Sequence, residues 1–297
     1  MAGVFCLGIA TLDYVYSVEH LPTRGEKYRA RDLALSGGGC AGTASAAIAR
    51  LGGTSWIATR LGDDVTGDRI VADLAADGVD TRFAHRFTGL RSPVSSILVD
   101  AAGERQVVSF TDAATPTAPD WLPAQLPAGT GAVLADIRWA EGTLAALRLA
   151  REAGLPSVLD GDRPPPHPDI IPNTSHVALS AQALRELMGD DNPHEALARL
   201  AAGKPNWFAV TLGRDGVLFT ENGVLAHLPS FEIEPVDTLG AGDVWHGAFA
   251  LALAEGKTER EAIRFASATA AIKCLHFGGR NGTPRRDEVE RFLSERG

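Results

Sequence analysis

The sequence predicts a three-layer α/β sandwich, with a mainly parallel central sheet and a small β-sheet lid over its crevice. Three observations carry this. Short apolar runs of strand length recur between Ala-rich or amphipathic stretches of helix length, as strands covered on both faces require. Strand and helix alternate along most of the chain, the pattern of a parallel sheet clad by helices. Two stretches, about 13–35 and 93–112, break the alternation, lack helical periodicity and carry strand-like residues.

The elements follow in order. Residues 4–9 form an apolar run, a buried strand, and 41–51 an Ala-rich helix. A strand at 55–59 precedes a helix at 66–76, with Thr66 or Asp64 as its start. Residues 94–100 and 105–110 flank Ala102-Gly103 and read as a hairpin. The run 132–135 is a strand, followed by a helix through 144–152. Short strands follow at 157–160, 177–179 and 208–211. Asn222-Gly223 between two β-rich runs marks a second hairpin. Helices at 243–254 and 260–275 come next, and Thr283-Pro284 opens a last helix with Pro at its first position. Pro164-Pro165-Pro166 is a rigid loop within one domain, 1–297, not a boundary.

Composition narrows the function classes. Hydrophobic residues make up 45% and charged ones 22% of the 297, as in an ordinary globular protein. A formal charge of -9 argues against a nucleic-acid partner but not against a phosphate ligand, which a few local dipoles and cations can hold. Cys6, Cys40 and Cys274 are far apart and read as buried thiols in a reducing compartment. No signal peptide or membrane span is read, so the expected location is the cytoplasm, with no membrane partner.

The stretch Val236-Asp237-Thr238-Leu239-Gly240-Ala241-Gly242-Asp243 is the most informative one. Two glycines before a helix leave bare amides aimed at one spot, an anion site. An acid there repels phosphate, unless its task is to take a proton from a hydroxyl that attacks phosphate. The motif therefore reads as phosphoryl transfer, with Gly240, Ala241 and Gly242 as donors and Asp243 as the base. The bland alternative is a glycine-rich helix start with an acid favoured by the dipole. Gly37-Gly38-Gly39-Cys40-Ala41-Gly42 formally fits G-x-G-x-x-G, with Asp63 at the distance of a ribose-binding acid. Alone that pattern is weak, and these glycines are better read as close backbone approach to a small ligand. Gly256-Lys257-Thr258 fails as a Walker A end, because Leu251 stands where the first Gly belongs; it reads as a helix–helix turn.

The Gly240–Asp243 motif resembles the signature of the ribokinase-like (PfkB) carbohydrate kinases, where the last Asp is the catalytic base. The resemblance implies a ribokinase-like fold and a sugar and ATP, with Mg2+, as ligands. Asp13, Gly38 and Gly39 would then meet the sugar, with Gly42 where an Asn is usual. Thr211, Gly213 and Gly216 would touch nucleotide phosphate or ribose, and Gly279 and Asn281 would wall the adenine pocket. A monovalent cation such as K+ is implied near Asp237 and 273–282. The usual N-x-x-E is replaced by Ser180-Ala181-Gln182-Ala183, leaving Mg2+ to nucleotide oxygens and water, with Asp160 and Asp162 as outer helpers and no metal ligand directly assigned.

Leu134 to Trp139, Val158 to Asp162, Arg264 to Ser267 and Gly25 to Arg31 also look like the bacterial sulfofructose kinases. That resemblance implies transfer to the C1 hydroxyl of 6-deoxy-6-sulfofructose, with Lys27, Ser109 and Arg138 gripping the sulfonate; Ser109 stands where an Asn can occur. Arg138 could equally pair with Asp136 or a neighbouring acid. A kinase for fructose, fructose 6-phosphate or ribose stays open, as do a dinucleotide-dependent oxidoreductase and a non-catalytic sugar sensor. Exposed lid edges predict a homodimer through the lid.

Overall fold

The computed structural model describes residues 2–101 and 103–296. Ala102 of the expected hairpin turn and the two ends of the 1–297 span lie outside the described residues. The chain begins with β1 (Gly3–Leu7), β2 (Thr11–Ser17), β3 (Asp32–Gly38), α1 (Cys40–Arg50), β4 (Thr54–Gly62), α2 (Val65–Ala76) and β5 (Asp80–Phe87). It continues through β6 (Val94–Val99), β7 (Arg105–Phe110), β8 (Thr130–Asp136), α3 (Ala140–Glu152), β9 (Ser157–Gly161) and β10 (His176–Ser180). Then come α4 (Ala181–Met188), α5 (Pro193–Ala201), β11 (Trp207–Thr211), β12 (Val217–Glu221), β13 (Val224–Leu228), α6 (Ala241–Ala254), α7 (Glu259–Cys274) and α8 (Arg286–Glu295).

Nine strands form one sheet in the order β13-β12-β11-β10-β9-β8-β1-β4-β5, parallel from β11 to β5 and antiparallel at the β12–β13 hairpin. Alternation along the strands sorts side chains into two cores. Val4, Cys6, Ala132 and Leu134 pack against α1, α6, α7 and α8. Phe5, Leu7, Val133 and Ala135 face α3 on the other side, and Leu159, Val177 and Phe208 extend that layer under α4 and α5. Both faces are covered, which is why these strands read as continuous apolar runs. The Asn222-Gly223 turn has positive φ at both residues, 51° and 79°, as the tight hairpin requires.

The lid is the second sheet, in the order β3-β2-β6-β7. Its outer pairs are antiparallel and β2–β6 is parallel. The expected segments 13–35 and 93–112 contain most of its strands, and 18–31 is irregular.

One helix start settles an alternative and another differs from expectation. Of Asp64 and Thr66, Asp64 caps α2: its Oδ1 accepts from Gly67 N at 2.9 Å, and Ser92 donates to the same carboxylate. A carboxylate that also ties Ser92 outcompetes a free hydroxyl for the cap. The last helix starts at Arg286, two residues beyond Pro284, with Glu288 accepting from Arg285 N at 2.6 Å. Thr283 instead closes the preceding turn, its amide bonded to Arg280 O at 3.0 Å, and among the described residues its Oγ1 makes no cap.

Candidate active site

Parallel strands deliver their carboxyl ends to one edge of the sheet. The chain runs from β1 towards β5 on one side and from β8 towards β13 on the other, so the crevice opens between β1 and β8. Asp136 ends β8 and is fully buried. Its Oδ2 accepts from Ile9 N at 2.7 Å and Ala41 N at 3.3 Å, and its Oδ1 from Arg138 N at 2.9 Å. One carboxylate thus ties the turn after β1, the start of α1 and the end of β8. Burial lifts its pKa to about 6, against the pull of those amides.

Asp243 stands on the first turn of α6, which begins at a left-handed Gly240 (φ 75°) with no side-chain cap. The first intrahelical bond is Val244 N to Gly240 O, so the Gly242 and Asp243 amides precede the ladder. Ala241 N already donates to Thr238 O at 3.2 Å, leaving it less free than the sequence suggested. Burial, then the charges of Asp160 and Asp162, raises the Asp243 carboxyl to about 7. That matches a general base working near neutral pH.

Cys40, Asp160 and Asp243 offer ligand atoms within 4.8 Å of one another. Asp160 is 2% exposed, and burial pushes its pKa well up. Among the described residues Asp160 Oδ2 and Asp162 Oδ1 have no hydrogen-bond partner. Orphaned buried carboxylate oxygens are costly without a cation, and hard oxygen donors suit Mg2+, so Asp160 and Asp162 fit a magnesium ion with its water shell. Cys40 does not act as a thiolate, because burial and then the Asp243 charge hold its thiol well above its ordinary pKa.

The lid supplies a polar row. Register aligns Ser36 (β3), Asp13 (β2), Ser95 (β6) and Ser109 (β7) across four strands. Thr11 Oγ1 donates to Asp13 Oδ1 at 2.7 Å, and burial raises the Asp13 pKa. A methyl on Gly38 would overlap the Asp13 carboxylate, so Gly38 is small to let Asp13 lie across it. Gly39 is the uncapped N-cap of α1. Gly42 sits close under Ala10, where a Cβ would come within 3.1 Å, so a longer side chain there needs a shift.

The three expected anion-gripping residues are dispersed in environment. Arg138 is ion-paired with Asp162, the acid-paired alternative, though a guanidinium has donors to spare. Lys27 is exposed on the irregular stretch between β2 and β3. Ser109 is exposed on the lid's edge strand.

Of the residues expected to meet the nucleotide, Thr211 ends β11 and Gly213 stands open in the following turn. Gly216 is held by the hairpin, its flank against Leu228 O. The Gly279 amide is spent on Asp237 Oδ2 at 2.9 Å. The Asn281 carbonyl accepts from Arg50 at 3.1 Å, at the opposite end of α1 from Cys40. The Arg50–Asp77 pair draws the turn to that end.

Sequence reasoning missed several groups. Asp136 is 127 residues from the Ile9 amide it holds. Arg60 lies 4.6 Å over the Trp139 ring and donates to Arg138 O at 3.3 Å, a second cation beside Arg138. Buried His246 puts Nδ1 2.8 Å from Gly242 O and 3.4 Å from Asp160 Oδ1. Its spacing of three from Asp243, on one helix face, was the available signal.

The pfkB family carbohydrate kinase profile matches residues 1–286. The chain is 29% identical over 298 residues to the ribokinase of Bacillus subtilis (strain 168), covering 99% of this chain and 100% of that protein. It is 28% identical over 303 residues to the ATP-dependent ribose-1-phosphate kinase of Halopiger xanaduensis, covering 100% and 99%. The crystal structure of a candidate ribokinase from Agrobacterium tumefaciens superposes with a TM-score of 0.90 at 36% identity, covering 99% and 98%. The ribokinase of Thermotoga maritima superposes at 0.84 with 25% identity, covering 99% and 100%.

Proposed function

The chain belongs to the pfkB family of carbohydrate kinases, and from that premise we propose that Asp243 is the base of an ATP-dependent transfer to a sugar hydroxyl. The enzyme is a phosphotransferase with an alcohol acceptor, of the ribokinase type. The observation that carries the base assignment is the place of Asp243 on the first turn of α6, beside the left-handed, uncapped Gly240, where burial raises its carboxyl towards neutral pH. Asp243 takes the hydroxyl proton as the sugar oxygen bonds the terminal phosphorus. The bond from that phosphorus to the bridging oxygen breaks, and ADP leaves with its electrons. The Gly240 and Gly242 amides stabilise charge on the migrating phosphoryl, with Ala241 N held by Thr238 O. Asp160 and Asp162 would hold Mg2+, which supplies charge neutralisation for the phosphates. Asp13, with Gly38 and Gly39 beneath it, orients the sugar hydroxyls. Thr211 and Gly213 face the nucleotide.

The whole chain, 1–297, acts as one kinase unit whose lid keeps water from ATP. The substrate proposed is 6-deoxy-6-sulfofructose, phosphorylated at C1. Arg60, which donates to the Arg138 carbonyl, and Arg138 bring two cations to the crevice edge, which supports an anionic sugar tail, with Lys27 and Ser109 reaching it from the lid. The relatives named ribokinase favour a second reading, ribose. ADP release against sulfofructose, fructose 6-phosphate, fructose and ribose separates them; faster turnover of ribose than of sulfofructose overturns the sulfonate assignment. Leu33 and Leu35 on one lid edge and Val107 and Val108 on the other are exposed, which supports a homodimer through the lid. Sedimentation tests it, and a monomer at assay concentration refutes it.

No helix among the described residues is long and apolar enough to cross a membrane.

A further inference from the structure

Lys273, on the last turn of α7, is 0% exposed. Lysine is almost never so deeply buried unless paired. Its Nζ donates to the Asp237 backbone carbonyl at 2.7 Å and lies 3.6 Å from Asp237 Oδ2. Asp237 is itself buried and ties together the loop that ends at Asp243. Its Oδ1 accepts from Leu239 N at 2.8 Å, and its Oδ2 from Gly278 N at 3.0 Å and Gly279 N at 2.9 Å. One more cation borders the loop from the lid: Arg105 donates to Thr238 Oγ1 at 2.8 Å. A carbonyl and a carboxylate oxygen converge on one buried point, where a single positive charge is favoured. Here an ammonium fills it.

We propose that Lys273 is the built-in cation of the Asp237–Asp243 loop, so that this kinase needs no free monovalent cation for activity. Lys273 is a positioning residue. It touches no reacting atom; it neutralises Asp237 and fixes the loop whose amides and acid meet the phosphoryl group. Without it, the buried Asp237 carboxylate keeps only its three amide donors, and the loop loses the anchor for its first carbonyl. The chain thereby departs from what its resemblance implied near Asp237, a bound ion such as K+.

The proposal rests on the kinase reading above, and its test is arranged so that the two fail separately. The wild-type enzyme is dialysed into tetramethylammonium salts, and K+ is then introduced at constant ionic strength. Turnover with MgATP and the accepted sugar is expected to change by less than about twofold, the scale of residual ionic effects. In Lys273→Ser, which opens room beside Asp237, kcat is expected to fall and to recover by about tenfold or more with K+ or ammonium, with the sugar KM little moved. Thermal melting without substrate gives the independent readout. K+ should leave the wild-type midpoint unmoved and raise that of Lys273→Ser. Strong K+ activation of the wild type overturns the proposal, whatever the variant does. So does a Lys273→Ser enzyme fully active in tetramethylammonium. Should no sugar yield ADP, the kinase reading falls while the melting contrast still decides the cation.

Discussion

Replacing Asp243 by Asn should trade activity for stability, and the structure sets both sizes. The carboxyl sits at about 7 against an ordinary 3.8, chiefly through burial and then the charges of Asp160 and Asp162. At about 1.36 kcal/mol per unit, keeping it ionised above neutral pH costs the folded state up to about 4 kcal/mol. Screening through the open side of the crevice cuts this to about 2 kcal/mol. The sign follows from the raised folded-state pKa. The group binds its proton more tightly folded than unfolded, so its stabilising share is full below about pH 4 and is lost as pH rises to about 7. A neutral amide at this position carries no such loss. The melting point of Asp243→Asn, measured in EDTA without nucleotide, should exceed the wild type by about 4 °C at pH 8. Roughly a third of that gain should remain at pH 5. Turnover should fall by about 10²–10⁴-fold with sugar and ATP binding retained. Near-normal turnover would refute the base assignment. A melting point that drops, or a gain independent of pH, would refute the account of the buried charge.

Arg138→Ala should weaken an anionic ketose by at least about tenfold while leaving a neutral ketose nearly unaffected, since the guanidinium is assigned to the anionic end; equal losses on steady-state kinetics would remove it from that role. Gly38→Ala should displace the Asp13 carboxylate that its methyl would overlap, raising sugar KM by about tenfold or more with ATP affinity kept; an unchanged KM would free Asp13 from substrate contact. Phe249→Ala should cost about 3–5 kcal/mol in denaturant unfolding, because Phe249 is fully buried and stacks on Trp207 at 5.1 Å and Trp245 at 5.0 Å; a loss below about 1 kcal/mol would mean the site collapses around the cavity.

What could be read from the sequence follows a physical divide. Strands covered on both faces, such as β1 and β8, write themselves as unbroken apolar runs. β5, Asp80–Phe87, does not: it is an edge strand, partly buried along its length and carrying Arg82, His85 and Arg86. α5 is absent from the sequence reading, although Asn192-Pro193 offers a cap and a proline at the first position and Ala196, Leu197 and Leu200 a buried stripe. Within the site, Asp243 and its glycines were legible because bare amides and an acid need neighbouring residues. Asp136, Arg60 and Lys273 were not, since each is defined by a partner far along the chain. Arg280 illustrates the limit. It is 3% exposed, pressed against Gly37 and 3.3 Å from Asp77, and nothing in Gly278 to Gly282 announces either contact.

The most direct measurement is a crystal structure with a non-hydrolysable ATP analogue and the accepted sugar. The account predicts an Asp243 oxygen about 2.6–3.2 Å from the sugar hydroxyl, in line with the terminal phosphate over the start of α6. An Asp243 side chain turned into packed protein, with the nucleotide bound away from α6, would contradict it.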